Sequence, residues 1–483
     1  MMKSISVISN LMWKFGERIS AQFVTLFVSI VLARLLSPSD YGAIALVTIF
    51  ITIANVFVVN GFGTALIQKK QADNLDFSSV FYVNILFSLF LYAILFILSP
   101  YVASFYNMEI LCPVMRVLSL RIPIAAINSI QQAYVSRNMM FKKFFFSTLF
   151  GTLLSGIVGC VMAYKGFGIW ALVGQYLTNT TVDTIVLWFT VRWRPELKFS
   201  FSRVKVLLSY GWKLLLSGLL DTGYQQLRSL IIGKKYTSSD LAYYNQGQKY
   251  PELVVVNINT SISSVLFPAI SQSQDNIEVV KGMTRRAIKV SSFIMWPLMV
   301  GLIIIASPLI SIMLTDKWLE CVPYLQIACF TYGFWPIHTA NLEALKAIGR
   351  SDLFLKLEIA KKIIGITVLL ISMNFGVLVI ALSGILTTIT SCFINAYPNT
   401  KILKYRYFEQ FTDILSNMIV AILMGVLIYP IKFLICNKFL LILVQILLGM
   451  LIYIFLSRIF KLDSFYYIIN LMKNKFKGSG SNE

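Results

Sequence analysis

Charged side chains are scarce in this sequence: they make up 13% of its 483 residues, about half the share of a soluble domain. Long polar segments are missing too. No connection between apolar runs exceeds about fifteen residues, which is too short to fold independently. That leaves no room for an ATP- or sugar-nucleotide-binding module, and no glycine-rich phosphate loop is present. The six cysteines (Cys112, Cys160, Cys321, Cys329, Cys392 and Cys436) lie far apart, mostly inside apolar runs. Without CxxC or other metal-type spacing they read as packing residues, so neither a metal centre nor another cofactor is expected. The first apolar stretch, from about Leu11 to Leu36, is too long for a cleaved signal and lacks a small-residue cleavage pattern.

What is abundant is apolar sequence. Hydrophobic residues account for 57% of the chain and mean hydropathy is +0.76, leaving too little polar sequence to cover a soluble globule. Runs of about twenty apolar residues, each enough to cross a hydrocarbon core of roughly 30 Å, recur from end to end. They fall near 11–35, 41–67, 77–99, 113–136, 143–164, 168–190, 206–232, 241–269, 286–310, 321–347, 355–374, 377–398, 412–432 and 438–459. The fold class is therefore all-α and polytopic, with about fourteen transmembrane helices.

The net charge of +21 does not indicate nucleic-acid binding, because the cations sit between spans on alternate loops. Lys69 and Lys70 form one cluster, and Arg137, Lys142 and Lys143 the next. Arg192, Arg194, Lys198, Arg203 and Lys205 follow, then Lys281, Arg285 and Arg286, then Arg350 and Lys356, then Lys401, Lys404 and Arg406. The tail adds Lys461, Lys473, Lys475 and Lys477. Positive-inside sorting then puts both termini in the cytoplasm.

Two halves of the chain resemble each other at a steadily growing offset. Trp13-Lys14 matches Trp212-Lys213, Ser39-Asp40 matches Ser239-Asp240, and Ser99-Pro100 matches Ser307-Pro308. Pro123, Ile124, Asn128, Arg137, Phe141 and Lys143 align on Pro336, Ile337, Asn341, Arg350, Phe354 and Lys356, and Phe167-Gly168 on Phe375-Gly376. The expected organisation is an N-lobe of helices 1–6 at 1–200 and a C-lobe of helices 7–12 at 201–405. Two extra helices and a basic tail complete it at 406–483. An even number of spans per repeat makes the lobes parallel copies about an axis along the membrane normal, with a cavity between them.

Polar residues inside spans cost about 2.5–3.5 kcal/mol when charged, so they should face protein or water. Several share one helical face. Arg18, Gln22, Thr25 and Ser29 do so in span 1, and Ser217, Asp221, Gln225 and Arg228 in span 7. Span 4 carries Arg121, Asn128 and Gln132, with Asn341 matching Asn128 in span 10. Span 10 also has Thr339, Glu343 and Lys346, and span 8 has Glu252, Asn259 and Ser263. Arg18, Arg121, Arg228 and Lys346, with Gln22, Gln225, Asn128 and Asn341, make a candidate cationic cavity suited to an anionic ligand such as a diphosphate. The competing reading is snorkelling, or packing pairs with acids. Glu17, Asp183, Asp221, Glu343 and the single histidine, His338, are candidates for proton or sodium coupling.

Several runs resemble a known family. Leu35-Leu36-Ser37-Pro38-Ser39-Asp40-Tyr41-Gly42 and Gly61-Phe62-Gly63-Thr64-Ala65-Leu66-Ile67-Gln68 are similar to the polysaccharide transporter family. So are Tyr244-Asn245-Gln246 and Val265-Leu266-Phe267-Pro268-Ala269-Ile270-Ser271. These are Wzx-like flippases of the multidrug/oligosaccharidyl-lipid/polysaccharide superfamily, near the colanic-acid and teichuronic-acid exporters. The resemblance covers almost the whole chain. It implies a MATE-like arrangement of two six-helix lobes plus two helices, and no enzymatic activity. It also implies flipping of undecaprenyl-diphosphate-linked oligosaccharide repeat units for O-antigen, capsule or exopolysaccharide synthesis. Implied partners are this lipid-linked substrate, membrane lipids, a coupling ion, and polymerase or glycosyltransferases. Many relatives are acidic where this chain has Asn60, which weakens any ion-coupling role carried over to that position. The alternatives are a multidrug exporter of the same superfamily, which should prefer acidic cavity residues, and a polysaccharide polymerase or ligase, which should need a large external loop.

Overall fold

The computed structural model describes residues 2–479 apart from 60–62, 64, 65, 68, 70 and 71. Asn60 and most of the run from Gly61 to Gln68 lie outside the described residues. Among those described, the secondary structure is helical throughout, with no strand. In chain order the α-helices are α1 (Met2–Leu35), α2 (Pro38–Val59), α3 (Asn74–Tyr106), α4 (Leu111–Leu118), α5 (Arg121–Arg137), α6 (Phe141–Tyr164), α7 (Ile169–Thr190) and α8 (Phe201–Lys235). Then come α9 (Ser238–Gln272), α10 (Ile277–Leu314), α11 (Val322–Tyr332), α12 (Trp335–Ala347), α13 (Ser351–Ser372), α14 (Val377–Ile402), α15 (Tyr407–Ile428), α16 (Lys438–Ile459) and α17 (Asp463–Ser479).

Among the described residues, ten helical segments are long and apolar enough to cross a membrane. Four other segments expected as spans fall outside that set: α7, α8, the α11–α12 pair and α13. Three of them carry charges where an ordinary span is apolar: Asp183 in α7, Asp221 and Arg228 in α8, and Glu358, Lys361 and Lys362 in α13. Helices that line a polar space lose hydropathy for that reason.

The chain divides into two compact units, Met1–Ala242 and Tyr243–Glu483. By contact, α8 belongs to the first unit, where it packs on α2 and α3. The division near residue 200 is one of sequence repeat, not of contact.

Local structures recur at matching places in the two sequence repeats. Ser37 and Asp40 form a reciprocal cap at the start of α2, Ser37 Oγ donating to Asp40 Oδ2 at 2.6 Å while Asp40 N donates to Ser37 Oγ at 3.2 Å. Thr237 and Asp240 repeat it at the start of α9, at 2.7 and 3.1 Å. The break between α4 and α5 has a counterpart between α11 and α12. Gly168 and Gly376, which precede α7 and α14, both have positive φ. One sequence match fails structurally. α12 has 13 residues where α5 has 17, so the C-terminal turns fall out of register. Arg137 therefore ends α5 and donates to the carbonyls of Leu66, Ile67 and Lys69. Arg350 lies before α13 and pairs with Asp352, whose carboxyl its hydrogen bond holds down to about 2.

In the first unit, α1, α6 and α7 pack closely. A Cβ on Gly156 would fall 2.4 Å from Val28 Cγ2. The basic loop after α7 is anchored by buried Trp193, which packs on Phe77, Phe81 and Tyr134. At one end of α8, a Cβ on Gly233 would fall 2.3 Å from Leu46, and one on Gly42 only 1.8 Å from Ser238 O. Ser39 Oγ and Ser238 Oγ meet there at 3.0 Å, so the capped starts of α2 and α9 touch.

In the second unit α15 and α16 pack along α10. Buried Asp413 accepts from Arg285 Nε and Nη2 at 2.7 and 2.9 Å and from Tyr405 Oη at 2.7 Å, with Lys289 at 3.3 Å. The break between α11 and α12 accommodates Trp296, since a Cβ on Gly333 would lie 2.8 Å from its ring. Much of the expected basic tail is helix α17, docked through Asp463 on Lys289 at 2.7 Å and Phe465 on Phe293.

Candidate functional site

In the first unit, the polar face of α5 is met by α7. Arg121 Nε donates to Thr180 Oγ1 at 3.1 Å and the guanidinium lies 5.1 Å from the Tyr176 ring centroid. Further along, Asn128 Nδ2 and Gln132 Nε2 donate to Asp183 Oδ2 at 2.6 and 3.4 Å, while Asp183 Oδ1 has no partner. Asn128 is buried, so it orients Asp183 and does not line an open space. Arg121 begins α5, about 15 Å along the broken span from Leu111, which is half a hydrocarbon core. Its partners are neutral, so its charge is not cancelled locally.

On α1, Arg18 is exposed and Gln22 half-buried. Arg18 has no hydrogen bond or ion pair among the described residues. Glu17, its neighbour, accepts from Thr148 Oγ1 at 3.3 Å. On α8, Gln225 donates to Asp221 at 2.9 Å, both being exposed, and Arg228 is half-buried. Asp221 and Arg228 make further interactions, so neither is free.

The second unit separates its expected site residues. Lys346 Nζ lies 3.1 Å from Glu343 Oε1, so the pair is neutral as a whole. Asn341 is fully buried and fully used. It donates to Gln410 Oε1 at 2.8 Å and accepts from Asn399 Nδ2 at 2.6 Å, tying α12 to α14 and α15. His338 has Asn395 Nδ2 at 3.0 Å from Nδ1 and Cys392 Sγ at 3.5 Å from Nε2. Neutral partners on both ring nitrogens describe a packed histidine. No cluster of metal-ligating residues occurs among the described residues.

Two charged positions were passed over in the sequence. Lys249 lies on α9 about 17 Å from its first residue, near mid-core, and is half-buried without hydrogen bond or ion pair among the described residues. It extends the stripe of Glu252, Asn259 and Ser263 by one turn, and Asn259 carries two buried, unpartnered side-chain atoms. The second position is α13, where Glu358 pairs with Lys361 and Lys362 follows. Counting charges inside each apolar run, instead of only between runs, finds both. Among the described residues, Arg18, Arg121 and Lys249 each lack a carboxylate partner inside an expected span, and such groups hold charge in reserve for an anion.

Residues 31–323 match the model described as polysaccharide biosynthesis protein. The chain belongs to that family. It is 22% identical over 382 residues to the teichuronic acid biosynthesis protein TuaB of Bacillus subtilis (strain 168), covering 78% of this chain and 79% of TuaB. It is 23% identical over 346 residues to the succinoglycan biosynthesis transport protein ExoT of Rhizobium meliloti (strain 1021), covering 71% and 70%. In structure it resembles the lipid II flippase MurJ in an inward closed conformation, with a TM-score of 0.76, 18% identity, and coverage of 93% of this chain and 98% of MurJ. An inward-facing MATE-family multidrug transporter of the MOP superfamily gives 0.63, 16% identity, and coverage of 80% and 96%. The fold is thus the MATE-like, all-α polytopic one, and ExoT, MurJ and the MATE transporter are by description transport proteins rather than enzymes.

Proposed function

We propose that this protein is a flippase that moves undecaprenyl-diphosphate-linked oligosaccharide repeat units from the inner to the outer leaflet of the bacterial cytoplasmic membrane. It does so by alternating access of two six-helix lobes, within fourteen spans. The observation that carries the reading is the set of intramembrane cations without acids, Arg18, Arg121 and Lys249, in a member of a polysaccharide biosynthesis family. A diphosphate offers these groups paired oxygens, whereas a cationic drug would be repelled by them. The glycan follows its diphosphate through the polar space while the prenyl tail stays in lipid. The product feeds a polymerase or glycosyltransferase acting on O-antigen, capsule or exopolysaccharide. Asp183, with one oxygen unpartnered and the other held by neutral amides, is the best-placed carboxylate for proton or sodium coupling.

Deleting the gene tests this reading. Lipid-linked repeat units should accumulate on the inner leaflet and surface polysaccharide should fall. Unchanged glycan with raised drug sensitivity would favour the multidrug alternative instead.

Orientation has its own test. With both termini cytoplasmic, the short connection between α15 and α16 lies outside, and it carries Cys436, the exposed cysteine. A membrane-impermeant maleimide should label intact cells at Cys436 and lose that label in Cys436→Ser. Labelling only after the membrane is opened means the orientation is inverted.

A further inference from the structure

The first unit carries a groove that the transport reading does not use. It runs between the start of α6 and the end of α7 and encloses about 560 Å³. Its walls are apolar: Met140, Phe146, Phe150 and Val186, with Phe146 37% and Phe150 48% exposed. Lys142 and Lys143 stand at one end. The groove therefore has an oily length and a cationic mouth.

The two ammonium groups are placed differently. Lys143 Nζ donates to Thr190 O at 2.6 Å, in the last turn of α7. An ammonium has three N–H donors, so two remain for another acceptor while the first fixes the head in place. Lys142 is exposed and lies 5.3 Å from the Trp13 ring centroid. Neither lysine has a carboxylate partner among the described residues. Phe146 and Phe150 follow Lys142 at successive turns of α6, giving an apolar track about 12 Å long.

From this geometry we infer that the α6–α7 groove is a binding site for an anionic phospholipid, with the phosphate at Lys142 and Lys143 and an acyl chain along Phe146, Phe150 and Val186. Charge complementarity selects the occupant. Two adjacent cations without an acid fit an anionic headgroup and add nothing for a zwitterionic one. The groove includes Thr190, where α7 runs into the basic segment of Arg192 and Arg194, the side that positive-inside sorting gives to the anionic cytoplasmic leaflet. The inference is independent of the proposed substrate.

Native mass spectrometry of the purified full chain, offered phosphatidylglycerol and phosphatidylcholine in equal amounts, tests it. The native protein should retain phosphatidylglycerol about tenfold over phosphatidylcholine. The double variant Lys142→Gln/Lys143→Gln should bring the two lipids to parity. Val186→Trp, which fills the groove and keeps both lysines, should lower retention of phosphatidylglycerol as well. Each variant is read only at an unchanged melting temperature, and Lys142→Gln alone, which keeps the Lys143 bond to Thr190, serves if the double variant unfolds. Equal retention by native and lysine variants overturns the site. Full retention in Val186→Trp overturns the groove. Complete displacement by equimolar undecaprenyl diphosphate overturns the phospholipid assignment.

Discussion

Replacing Gly42 with valine is expected to reduce export about 100-fold while leaving the protein inserted and folded. The cause is steric. A Cβ at Gly42 would sit 1.8 Å from the carbonyl oxygen of Ser238, with that residue's C and Cα at 2.4 and 2.8 Å. Backbone atoms cannot rotate away as a side chain can, so the starts of α2 and α9 must separate. Overpacking of this kind costs about 3 kcal/mol, which lowers the population of the conformation about 100-fold. In the proposed alternating-access cycle this conformation is revisited at each turn, so transport then stalls. Gly42→Ala should show a smaller loss, because its single methyl needs less displacement. Surface polysaccharide in a complemented deletion strain measures the effect. A thiol cross-linker between cysteines placed at Ser39 and Ser238, now 3.0 Å apart at their hydroxyls, reports the conformation directly. It should join the pair in the native background and fail in Gly42→Val. Undiminished export with full cross-linking would show that the contact is not obligatory.

The second large effect is expected at Lys249. Lys249→Met keeps the length of the side chain and removes its charge. A charge-assisted hydrogen bond to phosphate contributes about 1.5–3 kcal/mol, so substrate binding and export should fall about 10- to 100-fold. The same change should raise the melting temperature, because a half-buried ammonium without an acid is a cost to the fold. That opposite movement separates a substrate-binding residue from a structural one, whose loss lowers both quantities. Lys249→Arg should retain most export, since guanidinium also binds phosphate. A fall in melting temperature together with normal transport in Lys249→Met would assign the lysine to packing.

The fold was legible from apolar runs because crossing a bilayer depends on local composition. Even the broken spans left signs, Pro123 and Pro336 lying just past the two breaks. Less legible was α17, whose Phe465 and Asp463 acquire meaning only against Phe293 and Lys289, distant in sequence. The match between Arg137 and Arg350 misled for a related reason. Identical residues took different tasks once α12 ended one turn early.

The candidate site was legible only in outline. Helical phase placed Arg121, Asn128 and Gln132 on one face, and they do share one, but that face meets α7. Asn341 and His338 followed equally good sequence logic and turned out to be spent on Gln410, Asn399, Asn395 and Cys392.

The reserve of unpaired charge looks different once neighbours are known. Lys346 leaves it because Glu343 pairs with it at 3.1 Å, and Lys249 enters it because no carboxylate, Glu252 included, pairs with it among the described residues. The sequence by itself determined that this chain lives in a membrane, where its helices lie, and that its halves repeat. Those properties depend on residues near one another along the chain. Only the tertiary structure decided which polar groups are satisfied and which are kept free. Hydrogen bonds and ion pairs between helices join residues fifty or more positions apart, and no local pattern encodes whether a partner will be there.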